Sequence, residues 1–169
     1  MILPLAARRL ALTAHVTTSV GWLGAVIGFL ALAVVGASSH DEQTARSAYI
    51  AMDSTAWFVL VPLALASLLT GLVQSLGSKW GLFRHYWVLF KLAITVVATA
   101  ILLLYTETLN QMAELARDPA STSAELEDPS PVLHTTAALV ILIAATALAV
   151  FKPRGVTPYG WRKLRGRTF

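Results

Sequence analysis

The chain has 169 residues, of which 56% are hydrophobic, with a mean hydropathy of +0.67 and a formal net charge of +4. This composition is too apolar for an ordinary soluble domain, and the length suits one membrane bundle, so we expect residues 1–169 to form a single integral membrane domain. The absence of cysteine excludes disulfides, thiolate metal sites and cysteine-ligated clusters. The basic excess flanks the apolar segments, where anionic lipid headgroups attract it, and this favours lipid over nucleic acid as the partner of the basic residues.

Four apolar segments each have the ~20 residues needed to cross a hydrocarbon core of ~30 Å. They cover approximately residues 10–36, 55–76, 86–105 and 132–151, and a basic segment, 152–169, follows the last of them. The pattern predicts an all-α protein, a four-helix transmembrane bundle.

The charged residues are sorted between the two sides of these segments. Basic residues precede the first segment, lie between the second and the third, and fill the C-terminal segment: Arg8, Arg9, Lys79, Arg84, Lys152, Arg154, Arg162, Lys163, Arg165 and Arg167. All nine acidic residues lie in the other two connections: Asp41, Glu42, Asp53, Glu107, Glu114, Asp118, Glu125, Glu127 and Asp128. Only Arg46 and Arg117 are cations there, so the positive-inside rule predicts that both termini are cytoplasmic (N-in/C-in) in a multi-pass protein.

The start of the first segment has features of a cleaved export signal. Arg8-Arg9, the apolar run and Val35-Gly36-Ala37 are similar to a twin-arginine signal with its cleavage site. The run is, however, about twice the ~7–15 residues of a signal's apolar region, and it contains His15 and Trp22. We therefore expect it to be retained as the first membrane span.

Polar and small residues share two strips of the first helix. His15, Trp22 and either Thr18 or Ser19 lie on one helical face. Gly21, Gly24 and Gly28 lie on the neighbouring strip, and the last two form a GxxxG pair, which lets two helix backbones approach closely. These glycines predict either packing inside the bundle or the contact of a homodimer.

The second and third helices are expected to continue beyond the membrane on the acidic side. Ser39 followed by Glu42 fits a capping box, and neither Gly nor Pro follows until Pro62, so the second helix should start near residue 40. Leu109, Met112 and Leu115 continue the helical spacing of the third segment.

The rest of the chain shows turn and interface signals. Residues 118–131 are typical of a loop, and Ser130 is expected to cap the last helix with Pro131 in its first turn. Helix-breaking residues after Lys152 predict a non-helical tail, in which Tyr159 and Trp161 anchor the chain at lipid headgroup depth.

His15 and Lys91 are the candidate functional residues, because an ionisable side chain inside a span is costly and usually faces the bundle interior. Both lie a few positions inside the basic end of their spans, and Lys91 heads a stripe on one helical face: Thr95, Thr99 and Thr106. A proton path, an anionic ligand or a porphyrin propionate could use this pair. Alternatively, Lys91 extends to the headgroups and His15 bonds a neighbouring carbonyl.

The other histidines have structural interpretations. His85, in the basic aromatic connection before the third helix, is expected to be an exposed interfacial residue. His134 opens the fourth helix on the acidic side near Glu107 and Glu114, where a transition metal is conceivable but the spacing favours a structural role.

Three stretches resemble a pattern in small bacterial membrane proteins. They are His15-Val-Thr-Thr-Ser-Val-Gly-Trp-Leu-Gly, Leu69-Thr-Gly-Leu and Trp87-Val-Leu-Phe-Lys91. The pattern resembles the uncharacterised "predicted integral membrane protein" group of actinobacteria, and more distantly it is similar to copper-resistance D-type proteins and the HemJ protoporphyrinogen oxidases. The resemblance implies a bundle of the bacterial cytoplasmic (inner) membrane linked to haem b or a porphyrin, with His15 as an axial iron ligand, Trp22 beside the cofactor and Lys91 as a second-site residue.

This chain departs from a bis-histidine haem site. His134 enters from the opposite side of the membrane, so with ~1.5 Å of rise per residue it should lie on the order of 20 Å from His15 in depth. The two axial ligands of one iron are only ~4 Å apart. Any haem would therefore be five-coordinate or use Lys91, His85 or a partner chain.

Two functions follow as hypotheses. The first is a haem- or porphyrin-associated membrane redox protein built around His15 and Lys91. The second is a non-enzymatic accessory or transport subunit that associates through Gly24 and Gly28 and presents an acidic surface to partners.

Overall fold

The computed structural model describes residues 4–78, 81–126 and 128–165. Its four long helices are the first (Leu5–Ser38), the second (Glu42–Gly77), the third (Tyr86–Arg117) and the fourth (Ser130–Phe151). All four are long and apolar enough to cross a membrane, which confirms the expected four-helix membrane bundle. Lys79, Glu127 and Arg167, which contribute to the charge pattern, lie outside the described residues.

Consecutive helices are neighbours in the bundle. The first helix packs against the second and the fourth, and the third helix packs against the same two, so the first and third face each other across the bundle. We call the end with the termini and residues 78–85 the basic side, and the end with residues 39–53 and 107–131 the acidic side.

The apolar core fills the middle of the bundle and its acidic half. Its buried members come from all four long helices and from the short helix Ser123–Leu126: Trp22, Val26, Phe29, Ala33, Tyr49, Met52, Ala56, Leu60, Ala64, Leu109, Met112, Ala116, Leu126 and Leu142. In the basic half, the buried side chains instead include Ser67 and Thr95. Other buried polar side chains, Thr106 and Thr135, lie in the acidic half.

The second helix begins at Glu42, near the expected residue 40, but its cap differs from the prediction. The N-cap is Asp41, whose Oδ2 accepts from the Thr44 N–H at 3.0 Å. Ser39 lies two residues too early to cap the helix, and its hydroxyl instead accepts from the Asp41 N–H at 3.2 Å. The capping box on Ser39 is wrong because the carboxylate of Asp41 supplies the stronger acceptor for the free N–H groups of the first turn.

The third helix runs to Arg117, which confirms its expected extension, and the second helix binds its end. The Arg46 guanidinium donates to the carbonyl oxygens of Asp118 at 2.8 Å and Ser121 at 2.6 Å, while Glu42 accepts from it at 2.6 Å. Carbonyl groups at a helix C-terminus lack helical partners, so a cation satisfies them well. These bonds join the two extensions on the acidic side.

A π-helical turn, Ala56–Leu60, interrupts the second helix just before Pro62. The Val61 N–H bonds the carbonyl of Ala56, one residue further back than in an α-helix. Pro62 lacks an N–H, and its ring would press on the carbonyl four residues earlier, so the wider turn accommodates it. The second helix thereby continues past Pro62 without a break.

Two further expectations on the acidic side are corrected. The predicted loop 118–131 contains one helical turn, Ser123–Leu126, whose Glu125 carboxylate accepts from the Thr122 N–H at 2.7 Å. The fourth helix has Pro129 at its N-cap, and Ser130 is its first helical residue. Ser130 has no N-cap side-chain bond there, because its hydroxyl lies 2.9 Å from the Tyr105 hydroxyl instead.

The C-terminal segment also differs from the expectation, since Pro158–Arg165 forms a helix. Pro158 is compatible with a first helical turn, where its missing N–H would have had no partner. Thr157 precedes it and accepts from the Gly160 N–H at 3.1 Å through its hydroxyl. The breakers thus start a helix rather than prevent one.

Candidate functional site

Three helices bring His15, Thr70 and Lys91 together in the basic half of the bundle. The His15 Nε2 lies 3.1 Å from the Lys91 Nζ, and its Nδ1 lies 3.2 Å from the Thr70 Oγ1. Each of the three residues comes from a different long helix, the first, the second and the third. The imidazole therefore links the first helix to the second and, across the bundle, to the third.

The hydrogen-bond directions follow from the single hydrogen of Thr70. Its hydroxyl donates to the Ala66 carbonyl at 2.6 Å, the shortest of its contacts, so it accepts from the Nδ1–H of His15. With the proton on Nδ1, the Nε2 of His15 accepts from the Lys91 ammonium. An ammonium has three N–H groups, so two of them remain for a further acceptor.

Gly71 makes room for the His15 ring. A Cβ at position 71 would lie 2.9 Å from the His15 Cε1 and 3.4 Å from its Nδ1. Any larger residue would push against the imidazole, so the second helix presents a flat backbone surface to it. The hydroxyl of Ser75 bonds the Gly71 carbonyl on the same helix.

Further hydroxyl groups connect the first and second helices beside the histidine. The Thr18 Oγ1 lies 3.2 Å from the Thr70 Oγ1, and the Ser19 Oγ lies 2.8 Å from the Ser67 Oγ. Hydroxyl contacts of this kind join helices inside a membrane, where backbone and apolar groups offer little specificity. The sequence left open whether Thr18 or Ser19 shares the His15 face, and both contribute.

The threonine stripe on the third helix is buried but largely satisfied by its own helix. Thr95 donates to the Lys91 carbonyl at 2.9 Å, Thr99 to the Thr95 carbonyl at 2.8 Å and Thr106 to the Leu103 carbonyl at 2.7 Å. Their exposed fractions are 8%, 4% and 4%. Because the hydroxyl hydrogens are already used, the stripe offers acceptor oxygens rather than free donors.

The chain provides no carboxylate for Lys91. The sequence has neither Asp nor Glu in residues 1–40, 54–106 or 129–169, so the basic half of the bundle has no acidic side chain. The ion pairs of Arg46 with Glu42 and of Arg117 with Asp53 and Glu114 lie on the acidic side. The polar cluster is thus cationic, with hydroxyl groups and one imidazole around a single ammonium.

Haem ligation by His15 stays a prediction, and it would require a free lone pair on one of the ring nitrogens. Both are within hydrogen-bond distance of a partner, Thr70 or Lys91, and the ring edge lies against Gly71. An iron needs the lone pair of one nitrogen, so Lys91 would have to leave Nε2 before a metal could bind there.

Trp22 lies in the apolar core rather than among the polar groups. It is 4% exposed and packs in the same cluster as Val26 and Phe29. It shares the helical face of His15, but nearly two turns separate the residues along the first helix. Its role beside a cofactor stays a prediction.

The GxxxG glycines lie on the outside of the bundle. Gly24 and Gly28 are exposed, and a Cβ on either would meet nothing within 4 Å. The interpretation that they pack inside their own bundle is therefore wrong. Gly21, in contrast, faces the second helix, where a Cβ would lie 3.4 Å from Leu63 Cδ2.

The other two histidines lie at the ends of the bundle. His85 is half-buried rather than exposed, because it is the N-cap of the third helix and forms a backbone bridge with Val156. His134 is exposed, stacks on Tyr105 with ring centroids 4.2 Å apart, and its Nδ1 lies 2.9 Å from the Ser130 carbonyl. In the described part of the chain, no three His, Asp or Glu side chains are grouped to hold a metal ion.

Sequence reasoning missed the contribution of the second helix to the site. Ser67, Thr70 and Gly71 have no charge to mark them, and only the stretch Leu69-Thr-Gly-Leu drew attention to this helix. Their roles depend on which helix faces His15, and local spacing does not determine that. The signal that could have found them is the run of small polar residues in an otherwise apolar span.

Comparison of the chain with known protein families, with curated proteins and with solved structures found no match.

Proposed function

We propose that this small integral membrane protein binds an anionic amphipathic ligand in the basic half of its bundle, with Lys91 holding the acidic group. The observation that carries the proposal is the 3.1 Å contact between Lys91 Nζ and His15 Nε2 in a region without any acid. His15 acts as a positioning residue, because its ring holds one N–H of the ammonium and leaves two for the ligand.

The physical reason is the cost of an uncompensated charge. Moving an ammonium out of water costs several kcal/mol even after relaxation, and the usual remedy is a hydrogen-bonded counter-charge. The side chains described near Lys91 include no acid, so a bound anion is the counter-charge that would offset this cost. A ligand whose remaining part is apolar would pack favourably against the apolar side chains of the bundle and the lipid chains.

The resemblance to porphyrin-linked membrane proteins suggests the class of ligand. A porphyrin carries carboxylates on an apolar macrocycle, which matches a cationic cluster inside an apolar bundle. Lys91 would hold a propionate, and the hydroxyl groups of Thr18 and Thr70 would line the same depth. Haem b would add one-electron chemistry when bound, while this chain would supply binding and orientation.

The binding test compares protoporphyrin IX with its dimethyl ester, which lacks both free carboxylates. Wild-type protein in detergent should bind the diacid more tightly than the ester. Lys91→Met should weaken diacid binding by about 10-fold or more, the size of a lost bond to a charged group, and leave ester binding unchanged. Lys163→Met, a matched exposed lysine on the same side, should bind the diacid like wild type. Equal affinity of wild type and Lys91→Met for the diacid would refute the proposal.

Haem in a redox role is tested separately by its spectrum. Protein purified from haem-supplemented cells should show a Soret band that His15→Ala loses and His134→Ala keeps. A colourless wild-type protein would exclude this finer function without excluding porphyrin binding at Lys91.

The accessory-subunit function is the second candidate, and one observation favours it. Gly24 and Gly28 are exposed on the lipid-facing surface of the first helix, where another helix could approach closely. The acidic extensions would then be available to partners on the other side of the membrane.

A further inference from the structure

The segment before the terminal helix is fixed to the start of the third helix. The Thr157 N–H donates to the Arg84 carbonyl at 3.0 Å, and the Thr157 hydroxyl donates to the Phe83 carbonyl at 2.5 Å. In return, the Tyr86 N–H donates to the Gly155 carbonyl at 3.3 Å. This short antiparallel contact holds the C-terminal chain against the basic end of the bundle.

The same threonine starts the terminal helix, Pro158–Arg165. Its hydroxyl oxygen accepts from the Gly160 N–H at 3.1 Å, and its carbonyl accepts from the Trp161 N–H at 2.9 Å. Thr157 therefore both fixes this segment to the bundle and caps the terminal helix. A helix that begins at a fixed point has a defined direction along the surface of the protein.

Gly160 fixes which face of this helix is turned inward. A Cβ at position 160 would lie 2.5 Å from the Arg84 carbonyl oxygen and 2.6 Å from Val156 Cγ1. Because the first of these atoms belongs to the backbone, a side chain there cannot be accommodated by a rotamer change. We call the contact of Thr157 and Gly160 with residues 83–86 the C-terminal clamp.

The outer surface of the helix combines exposed aromatic and basic side chains. Tyr159 is 45% exposed and Trp161 55% exposed, and Arg162 and Lys163 are exposed as well. With ~100° between successive residues of a helix, Arg162 points away from the Gly160 face and the two rings flank it. Aromatic rings beside a cation are typical of the interface between lipid chains and headgroups, where Tyr and Trp side chains are enriched.

The charge of the region is of one sign. Every formally charged residue after Asp128 is basic: Lys152, Arg154, Arg162, Lys163, Arg165 and Arg167. Anionic lipid attracts such residues by ~1 kcal/mol each near the membrane surface. The clamp keeps the helix at the end of the bundle, where the headgroups of that leaflet lie.

We propose that the terminal helix Pro158–Arg165 is a docking surface for anionic phospholipid headgroups of the leaflet on the basic side, oriented by the C-terminal clamp. It lies in the plane of the membrane, with Tyr159 and Trp161 at headgroup depth and Arg162 and Lys163 on the phosphates. The proposal differs from attraction of a free basic tail, because it requires a specific backbone contact at Gly160.

The test uses an environment-sensitive dye on Tyr159→Cys, since the chain has no other cysteine. The labelled full chain is placed in nanodiscs of phosphatidylcholine alone or with added phosphatidylglycerol. The dye emission should shift to the blue in the anionic discs, and the shift should be lost at high salt, which screens exposed charges. Arg162→Gln with Lys163→Gln should reduce it.

Gly160→Val separates docking from simple charge attraction, because it keeps every basic residue. It should abolish the shift caused by phosphatidylglycerol, and the milder Thr157→Val, which removes the cap hydroxyl, should reduce it while circular dichroism shows the bundle intact. A shift unchanged in Gly160→Val and Thr157→Val would mean that an unstructured basic tail suffices. The same emission in both kinds of disc, or a shift reproduced by inorganic phosphate without anionic lipid, would refute membrane docking.

Discussion

Lys91 and His15 show how a single glycine shapes a polar site inside an apolar bundle. The ring of His15 can reach Lys91 and Thr70 together only because the second helix has no side chain at Gly71. The chemistry of the pair depends on this fit, because an imidazole displaced by ~1 Å loses a hydrogen bond whose strength falls steeply with distance and angle.

Gly71→Ala should therefore mimic the loss of His15. The new Cβ would lie 2.9 Å from His15 Cε1, and the ring can move away because it is the end of a side chain. We expect weaker protoporphyrin binding, similar to that of His15→Ala, with a change in stability of about 1 kcal/mol or less. Ligand titration and thermal unfolding measure the two effects.

Gly21→Ala is the matched control for this substitution. Its Cβ would meet Leu63 at an ordinary contact distance of 3.4 Å, so ligand binding should stay at the wild-type value. Equal binding by the Gly71→Ala and Gly21→Ala proteins would show that the His15 position does not matter to the ligand.

At the scale of the helices, the ends outside the membrane are determined by caps and by one cation. Asp41 opens the second helix, and Arg46 binds the carbonyl groups at the end of the third. Both devices satisfy backbone groups that a helix end leaves free. They explain why the two extensions persist in water, where isolated helices of this length are only marginally stable.

The Asp41 cap predicts a pH dependence of the second helix. Bonds from the Thr44 hydroxyl and N–H lower the pKa of Asp41 below its usual range. A lowered folded pKa means that the stabilisation is present above the ordinary aspartate pKa and is lost as the pH falls through the folded value. The amide-exchange protection factors of residues 42–46, taken relative to the intrinsic exchange rate at each pH, should thus fall on acidification below the usual aspartate range.

Asp41→Asn tests the origin of this effect, because asparagine is also a good N-cap but does not titrate. It should remove the acid-dependent exchange while leaving the helix intact at neutral pH. If the protection factors fall in the same way in Asp41→Asn, another group causes the effect.

The exposed face of the first helix yields a prediction about assembly. Gly24 and Gly28 meet no neighbour in their own bundle, so they are free to receive a second helix. If a homodimer forms, replacing both with Leu should abolish it. Lipid chains are as apolar as the helix surface, so helices associate in a membrane through close backbone contact, which two leucine side chains would prevent. Cross-linking and light scattering in detergent measure the change.

Gly21→Leu would not be a suitable comparison here, because Gly21 faces the second helix. Ile27→Leu, on the same exposed face, preserves the apolar surface and should leave any dimer intact. A dimer that persists after the double leucine substitution would exclude Gly24 and Gly28 as its contact.

At the scale of the whole molecule, the charge pattern predicts that both termini and residues 78–85 are cytoplasmic. The chain lacks cysteine, so single cysteines report topology without background. Ser78→Cys should be protected from an impermeant maleimide in intact cells. Ala120→Cys should be labelled, and it is preferable to Ser121→Cys because Ser121 accepts from Arg46. Labelling of Ser78→Cys together with protection of Ala120→Cys would show that the orientation is the opposite of the one predicted.

The span pattern, the helix extensions and the two-sided distribution of charge were all accessible from the sequence. These features depend on local composition: ~20 apolar residues must cross the bilayer as a helix, and each charged connection must stay in water. The pairing of His15 with Lys91 could be anticipated only as far as similar depth in the membrane, which residue counting along two helices provides.

Only the tertiary structure determined which side chains of the different helices face each other. Helix rotation placed Gly71 and Thr70 under His15 and turned Gly24 and Gly28 outward, since packing of all four helices sets rotation and no single segment encodes it. The C-terminal helix likewise depends on carbonyl groups of residues 83 and 84, which are distant in the sequence. Local signals alone determined the spans and their ends, whereas the site and the clamp required contacts between helices, because their hydrogen-bond partners come from separate parts of the chain.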